Sequence, residues 1–308
     1  MPVFISRTYA SRVKPTDRGY ATGGGFAGAG AGPRLHSSEQ RIEPRGDWLS
    51  AGWTEVWARR ELLAVFLWRD VKVRYKQALL GVGWAILQPL ATMIVFSVIF
   101  GRLAHLASDG VAYPAFSLTG LLPWMLFAGG VTAAANSLVG NVNLLTKVYF
   151  PRMLLPLSNV VSGLLDFGVS FVLLLAVVSW YAILPGWRVL LLPLPILLTL
   201  VSAAGVGLWL AALNAQYRDV RHALPFLMQL WMYGTPVVYS ISIVPAAWRP
   251  LFAMNPLVTA IGSFRCLLLG TAGPSAAMTA ISTFCALALF VTGSWYFRSI
   301  ERSVVDAI

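Results

Sequence analysis

From Val111 to Thr146 the chain carries no charged residue. A second such stretch runs from Cys266 to Phe297, and a third from Gln77 to Gly101. Segments of this length cover the ~20 apolar residues that an α-helix needs to cross ~30 Å of hydrocarbon. No water-facing surface can be assembled from them. Charged residues make up 11% of the 308 residues, against roughly 25% in soluble domains. They are also crowded at one end, because residues 1–80 hold 13 Lys+Arg and 7 Asp+Glu and the other 228 residues share 15 charges. The pattern predicts an all-α polytopic membrane protein led by a polar segment. The net charge of +11 reads as positive-inside charge facing anionic lipid, since no basic stripe with interleaved aromatics for nucleic acid lies beyond the N-terminal segment.

Residues 1–47 are polar and include the run Gly19–Gly32, which reads as a disordered cytoplasmic tail with a Gly-rich linker. No apolar stretch follows Met1, so a cleaved signal peptide is not expected. Over 48–80, Trp53, Val56, Trp57, Ala64, Leu67, Trp68, Val71 and Tyr75 recur at helical spacing, with Glu55, Arg59, Arg69, Lys72 and Lys76 on the other side. Three Trp and a basic polar face predict an amphipathic helix lying at the membrane interface. Six transmembrane helices are then expected within a domain over 81–300, at about 81–101, 115–139, 154–181, 189–213, 222–241 and 276–297. The segment 242–273 is too apolar for a solvated loop and is interrupted by Pro245, Pro250 and Pro256. It predicts a re-entrant helix pair on the outer side, with Asn255 capping and Pro256 opening a helix that ends near Gly270. Residues 301–308 form a cytoplasmic C-terminus. With the N-terminus inside, the inner segments hold 19 of the 23 Lys+Arg, and the outer ones hold Arg102, Arg188, Arg249 and Arg265. Both termini are therefore expected to be cytoplasmic.

Catalytic chemistry is not supported. His36, His105 and His222 fall in the tail, an outer loop and an inner membrane edge, and the two cysteines, Cys266 and Cys285, read as packing residues. No catalytic residue and no metal site is expected on this chain. Asp166 is the single acid deep in a span. It is read either as a gating or substrate contact or as a helix–helix hydrogen bond, to Ser162, Ser170 or a neighbouring span. No GxxxxGK[ST] loop exists, because the chain has no Gly-Lys dipeptide. Any ATP and Mg would therefore bind a partner polypeptide. The loop from Asn141 to Arg152 suits such a partner, with Tyr149, Phe150 and Arg152 expected to be exposed at its end; aromatic and Arg residues anchor protein interfaces. A membrane-hugging loop with snorkelling Lys147 and Arg152 is the alternative.

Four ordered motifs carry a family resemblance over about 48–300. They are the run from Trp68 to Pro89, the loop Asn143–Met153, Tyr217-Arg-Asp-Val220, and Asn255-Pro256 with Phe264-Arg265. Together they resemble the ABC-2-type polysaccharide export permeases, the membrane subunits that export lipid-linked O-antigen and wall teichoic acid. The resemblance implies a homodimeric channel in a bacterial inner membrane, with two ABC ATPase subunits docked below. It implies an ATPase-coupling loop at Thr146, Lys147, Tyr149, Phe150, Pro151 and Arg152, and a second cytoplasmic loop at Tyr217, Arg218, Asp219 and Arg221. It further implies an outer gate at 242–273, including Asn255, Pro256, Phe264 and Arg265, and a cytoplasmic entrance for a lipid-pyrophosphate end. Arg69, Lys72, Arg74 and Lys76 are the basic residues at that entrance, and they serve equally as positive-inside anchors.

A polymer must slide, so its channel binds weakly and at many points. Aromatic faces stack on sugar C–H faces without a fixed register. Phe96, Phe100, Trp124, Phe127, Trp231, Tyr233 and Tyr239 are the candidates, each equally readable as a membrane-belt or core residue. Two other readings stay open: an ABC-2 exporter of a small drug or lipid, and a non-transporting membrane scaffold.

Overall fold

The computed structural model describes residues 59–76, 81–147, 150–183, 186–217 and 219–301. Every regular element among them is helical. The expected tail over 1–47, the start of the amphipathic segment and the C-terminal residues after Glu301 lie outside the described residues, as do Tyr149 and Arg218.

Helix α1 (Arg60–Lys76) precedes α2 (Gly83–Phe96), which continues through a π-helical turn, Ser97–Leu103. Next come α3 (Tyr113–Gly140), the short α4 (Val142–Lys147) and α5 (Leu154–Trp180). A 3₁₀ turn, Trp187–Leu191, leads into α6 (Pro193–Gln216), followed by α7 (Asp219–Tyr233). The chain closes with α8 (Arg249–Ala253), α9 (Pro256–Leu269) and α10 (Ala276–Glu301).

Among the described residues five helical stretches are long and apolar enough to cross a membrane, 83–103, 113–140, 154–180, 187–216 and 276–301, or six if the bent pair over 246–269 is one span. The fifth expected span is shorter than its hydropathy suggested. Helix α7 has 15 residues, about 22 Å of rise, less than the ~30 Å of hydrocarbon. It stops where Gly234 and Pro236 withdraw helical backbone. The segment before α10 folds as the broken pair that its prolines indicated. The stretch 246–253 and α9 meet at 108°. The Asn255 side chain accepts a hydrogen bond from the Leu257 N–H at 3.2 Å, and Gly270 ends α9 in the left-handed region at φ 72°.

Helix α3 organises the bundle. Of its most apolar window 72% is buried within the chain, against 11% for α2 and 22% for α10. Leu121, Phe127, Val131, Ala134 and Leu138 pack into the core that α3 shares with α5 and α6. Small residues bring α6 against α10. A Cβ on Gly205 would stand 2.7 Å from backbone atoms of Leu289 and Phe290. Membrane helices associate through such close backbone approach, because lipid offers no hydrophobic drive between them. Trp209 of α6 stacks on Tyr296 of α10, ring centroids 4.2 Å apart.

In α1 the buried side is set by Phe66, with Leu62 and Leu63 packed beside it. Ala64, Val65 and Trp68 are exposed. The apolar face read from the sequence at Ala64 and Trp68 is thus turned away from the protein, while the protein side also takes in Asp70, whose Oδ2 accepts from the Ser158 hydroxyl of α5 at 3.4 Å.

Candidate functional site

Two elbows and a cleft gather most of the residues singled out from the sequence. The first elbow joins α4 to α5. Thr146 and Lys147 are exposed at the end of α4. Phe150, expected to be exposed, is buried at 5%. Its ring packs on Phe66 of α1 at 5.2 Å, within a cluster that includes Leu138, Leu154 and Phe297. The correction has a simple cause. Pro151 turns the chain into α5, and burying the ring against four helices removes more apolar surface from water than an exposed loop position would. Half-buried Arg152 follows. Its guanidinium donates to the Glu301 carbonyl and its N–H donates to Glu301 Oε1 at 3.3 Å, so the start of α5 is tied to the end of α10. On α1, Arg69 pairs with its neighbour Asp70 at 2.8 Å and lies over the Phe66 ring, and Lys72 is exposed. The side chains of Arg74 and Lys76 lie outside the described residues. At the α6–α7 junction, Tyr217, Asp219 and Arg221 are all exposed.

The second elbow lies at the opposite end, around 235–242. Arg265, counted from the sequence among the outer-side charges within the helix expected from Pro256, sits in the middle of α9 at 4% exposure. No carboxylate pairs with it within salt-bridge distance among the described residues. Its guanidinium donates to the carbonyls of Pro236 at 2.8 Å, Tyr239 at 3.3 Å and Val237, and stands 3.7 Å from the centroid of the Phe116 ring. Three carbonyl dipoles and an aromatic face take the place of water at its two terminal nitrogens, while the buried Nε has no hydrogen-bond partner among the described residues. From the other side, the Tyr113 hydroxyl donates to the Val238 carbonyl at 2.6 Å, while Asp109 accepts from the Ser240 and Ser242 hydroxyls at 2.5 and 2.9 Å. Asn255 donates to the Thr235 hydroxyl at 2.8 Å, and Phe264 and Pro256 are buried. Of the four residues singled out near 255–265, Asn255 and Arg265 reach this turn, while Phe264 packs instead on Phe167 and Phe171 of α5. Asp109 and Tyr113 were missed, although Asp109 is the only acid between the first two spans and so carried a signal.

The aromatic candidates separate. Phe127 is fully buried and Trp124 is 6% exposed, and with Trp231 they form a packed row at 5.7 and 5.1 Å. In this arrangement Phe127 fills the core and lines no open path. Phe96 and Phe100 are half-buried and pair edge to face at 5.5 Å. Tyr233 is exposed, and Tyr239 donates to its carbonyl at 3.3 Å. A cleft of about 540 Å³ opens between α2, α3 and α5, lined by Trp84, Gln88, Trp124, Asn159, Asp166 and Ser170 among others. Asp166 is half-buried there. Ser170 donates to the Asp166 carbonyl and to that of Ala85 on α2.

The chain matches the family model for ABC-2 type transporters over residues 61–269. It is 33% identical to an O-antigen export system permease protein RfbA of Myxococcus xanthus, across 82% of this chain and 98% of that relative. It is 30% identical to an RfbA of Klebsiella pneumoniae across 68% and 80%. A polysialic acid transport protein KpsM of Escherichia coli is 24% identical across 79% and 95%.

Proposed function

The chain belongs to the ABC-2 type transporter family, as a multi-pass membrane permease, and we propose that it exports a lipid-linked polysaccharide of the O-antigen kind across a bacterial inner membrane. The observation that carries the reading is the similarity to an O-antigen export permease along 98% of that relative's length. The similarity to a polysialic acid transport protein supports a glycan cargo from a second direction. Two copies of the chain form the passage. Two separate ABC ATPase subunits bind ATP and Mg and supply the work, and both termini of the permease face the cytoplasm with them.

The elbows give the mechanism its parts. The ATPase presses on the exposed Thr146–Lys147 end of α4 and on Tyr217, Asp219 and Arg221. Because Phe150 is socketed between α1 and the bundle, and Arg152 is joined to Glu301, a displacement there moves α1, α5 and α10 together. Lys72 and its basic neighbours draw a pyrophosphate end toward α1 by charge. At the far end, the turn at 235–242 is the outer gate, held shut by Arg265, Tyr113 and Asp109.

Depletion of the protein in its native cell, with glycolipids fractionated by leaflet, tests the reading. A long lipid-linked polymer is expected to accumulate on the cytoplasmic side while the surface glycan falls. Unchanged surface glycan with no such accumulation refutes it.

A further inference from the structure

The cleft between α2, α3 and α5 is polar where a bundle in lipid has most reason to be apolar. Helix α5 begins at Leu154, so a rise of ~1.5 Å per residue sets Asp166 about 18 Å along it, near mid-span. Polar groups at that depth are expensive in lipid and mark a water-filled or ligand-filled path. Gln88 and Trp84 are exposed on α2, with Trp84 showing 54% of its surface, and Asn159 and Asp166 face the same space from α5. Among the described residues no Lys or Arg lines the cleft. That composition disfavours a phosphate or another anion, which needs cationic donors. Two amides and a carboxyl instead match vicinal hydroxyls, which both donate and accept, and an exposed indole matches the apolar C–H face of a pyranose ring. The volume of about 540 Å³ falls in the ~300–1,000 Å³ range of small-ligand sites.

We propose that this cleft is a binding subsite for a neutral sugar unit of the transported glycan. Gln88, Asn159 and Asp166 hold its hydroxyls and Trp84 stacks on its ring. The proposal rests on the polysaccharide reading above and adds where, within a single chain, the glycan is gripped. The grip lies in the half of the bundle that carries α1, since the cleft reaches Gly81 at the start of α2.

Gly129 offers a clean test. It lines the cleft from α3, and a Cβ added there meets no atom within 4 Å. A side chain can therefore leave the backbone here without a clash at its Cβ, and Gly129→Phe carries a ring into the cleft. Gly168 on α5 is equally open but does not line the cleft, so Gly168→Phe is its control. Both variants are introduced into a deletion strain that retains the partner ATPase, and surface glycan is measured alongside the amount of permease in the membrane. Gly129→Phe is expected to lower surface glycan about tenfold or more at normal protein level, and the double variant Gln88→Leu, Asp166→Leu similarly, the scale of losing one or two hydrogen bonds to a charged group. Gly168→Phe is expected to export normally. In parallel, a photo-reactive phenylalanine at Met125, inside the cleft, is expected to capture material that stains as glycan after periodate oxidation. Normal export by Gly129→Phe, or capture of phospholipid alone at Met125, overturns the subsite while the deletion phenotype continues to support export. A deletion strain with unchanged glycans overturns the export reading and the subsite with it.

Discussion

Adding one methyl group at Gly205 should separate two kinds of glycine in this bundle. Its Cβ would lie 2.7 Å from the Leu289 carbonyl carbon and the Phe290 nitrogen. Heavy atoms in contact sit about 3.5–4.0 Å apart, so α6 and α10 would have to separate by roughly 1 Å. Both obstructing atoms are backbone, and no side chain can swing aside. Overpacking of this kind costs about 1–3 kcal/mol, and widening the crossing also loosens the Trp209–Tyr296 stack one turn away. Against this, alanine is worth up to about 1 kcal/mol over glycine within a helix. Gly205→Ala should therefore be destabilising by about 1–2 kcal/mol. Gly129→Ala, whose Cβ meets nothing within 4 Å, keeps only the propensity gain and should be neutral or stabilising. Unfolding the purified permease in mixed micelles with increasing SDS, followed by tryptophan fluorescence, reads both. Opposite shifts of the midpoint are expected. A Gly205→Ala protein that unfolds with or after Gly129→Ala would refute the close α6–α10 crossing.

Other expectations concern the two elbows. Phe150→Ala empties a site shared by α1 and the bundle and should cost about 3–5 kcal/mol as a buried Phe truncation, whereas Thr146→Ala, exposed, should shift the same SDS midpoint little. Arg265→Leu leaves the carbonyls of Pro236, Val237 and Tyr239 without their donor and should destabilise by about 3 kcal/mol or more. Arg265→Lys keeps the charge but not the fork and should recover only part of the loss, read as membrane level and SDS midpoint. Asp109→Ala frees Ser240 and Ser242 and should raise cysteine-reagent labelling at a Val244→Cys reporter, whose site is buried at 8%. Labelling equal to that of the reporter alone would remove Asp109 from the gate.

The spans were legible because hydropathy is a property of composition along the chain, and 83–103, 113–140 and 276–301 fall largely where the charge-free stretches lie. The bend at Asn255 was legible too, since an Asn-Pro start and a Gly stop act locally. The short α7 carried its own signal in Gly234 and Pro236, and hydropathy alone overrode it. What stayed hidden depends on partners distant in sequence. Phe150 sits within a loop-like pattern of Lys147, Tyr149, Pro151 and Arg152, and only the approach of Phe66 turns it inward. The burial of Arg265 was not legible because its counterweights are backbone carbonyls, which every residue possesses and no sequence advertises. The polar cleft draws Gln88, Asn159 and Asp166 from two helices, and only Asp166 stood out beforehand, by its charge.

The joint between Arg152 and Glu301 links positions 149 residues apart. It turns a linear polymer into a closed mechanical ring at the end of the bundle that bears α1. A load applied at that point divides at once between the spans that open and close the ring, α5 and α10, without first travelling through the turns between them.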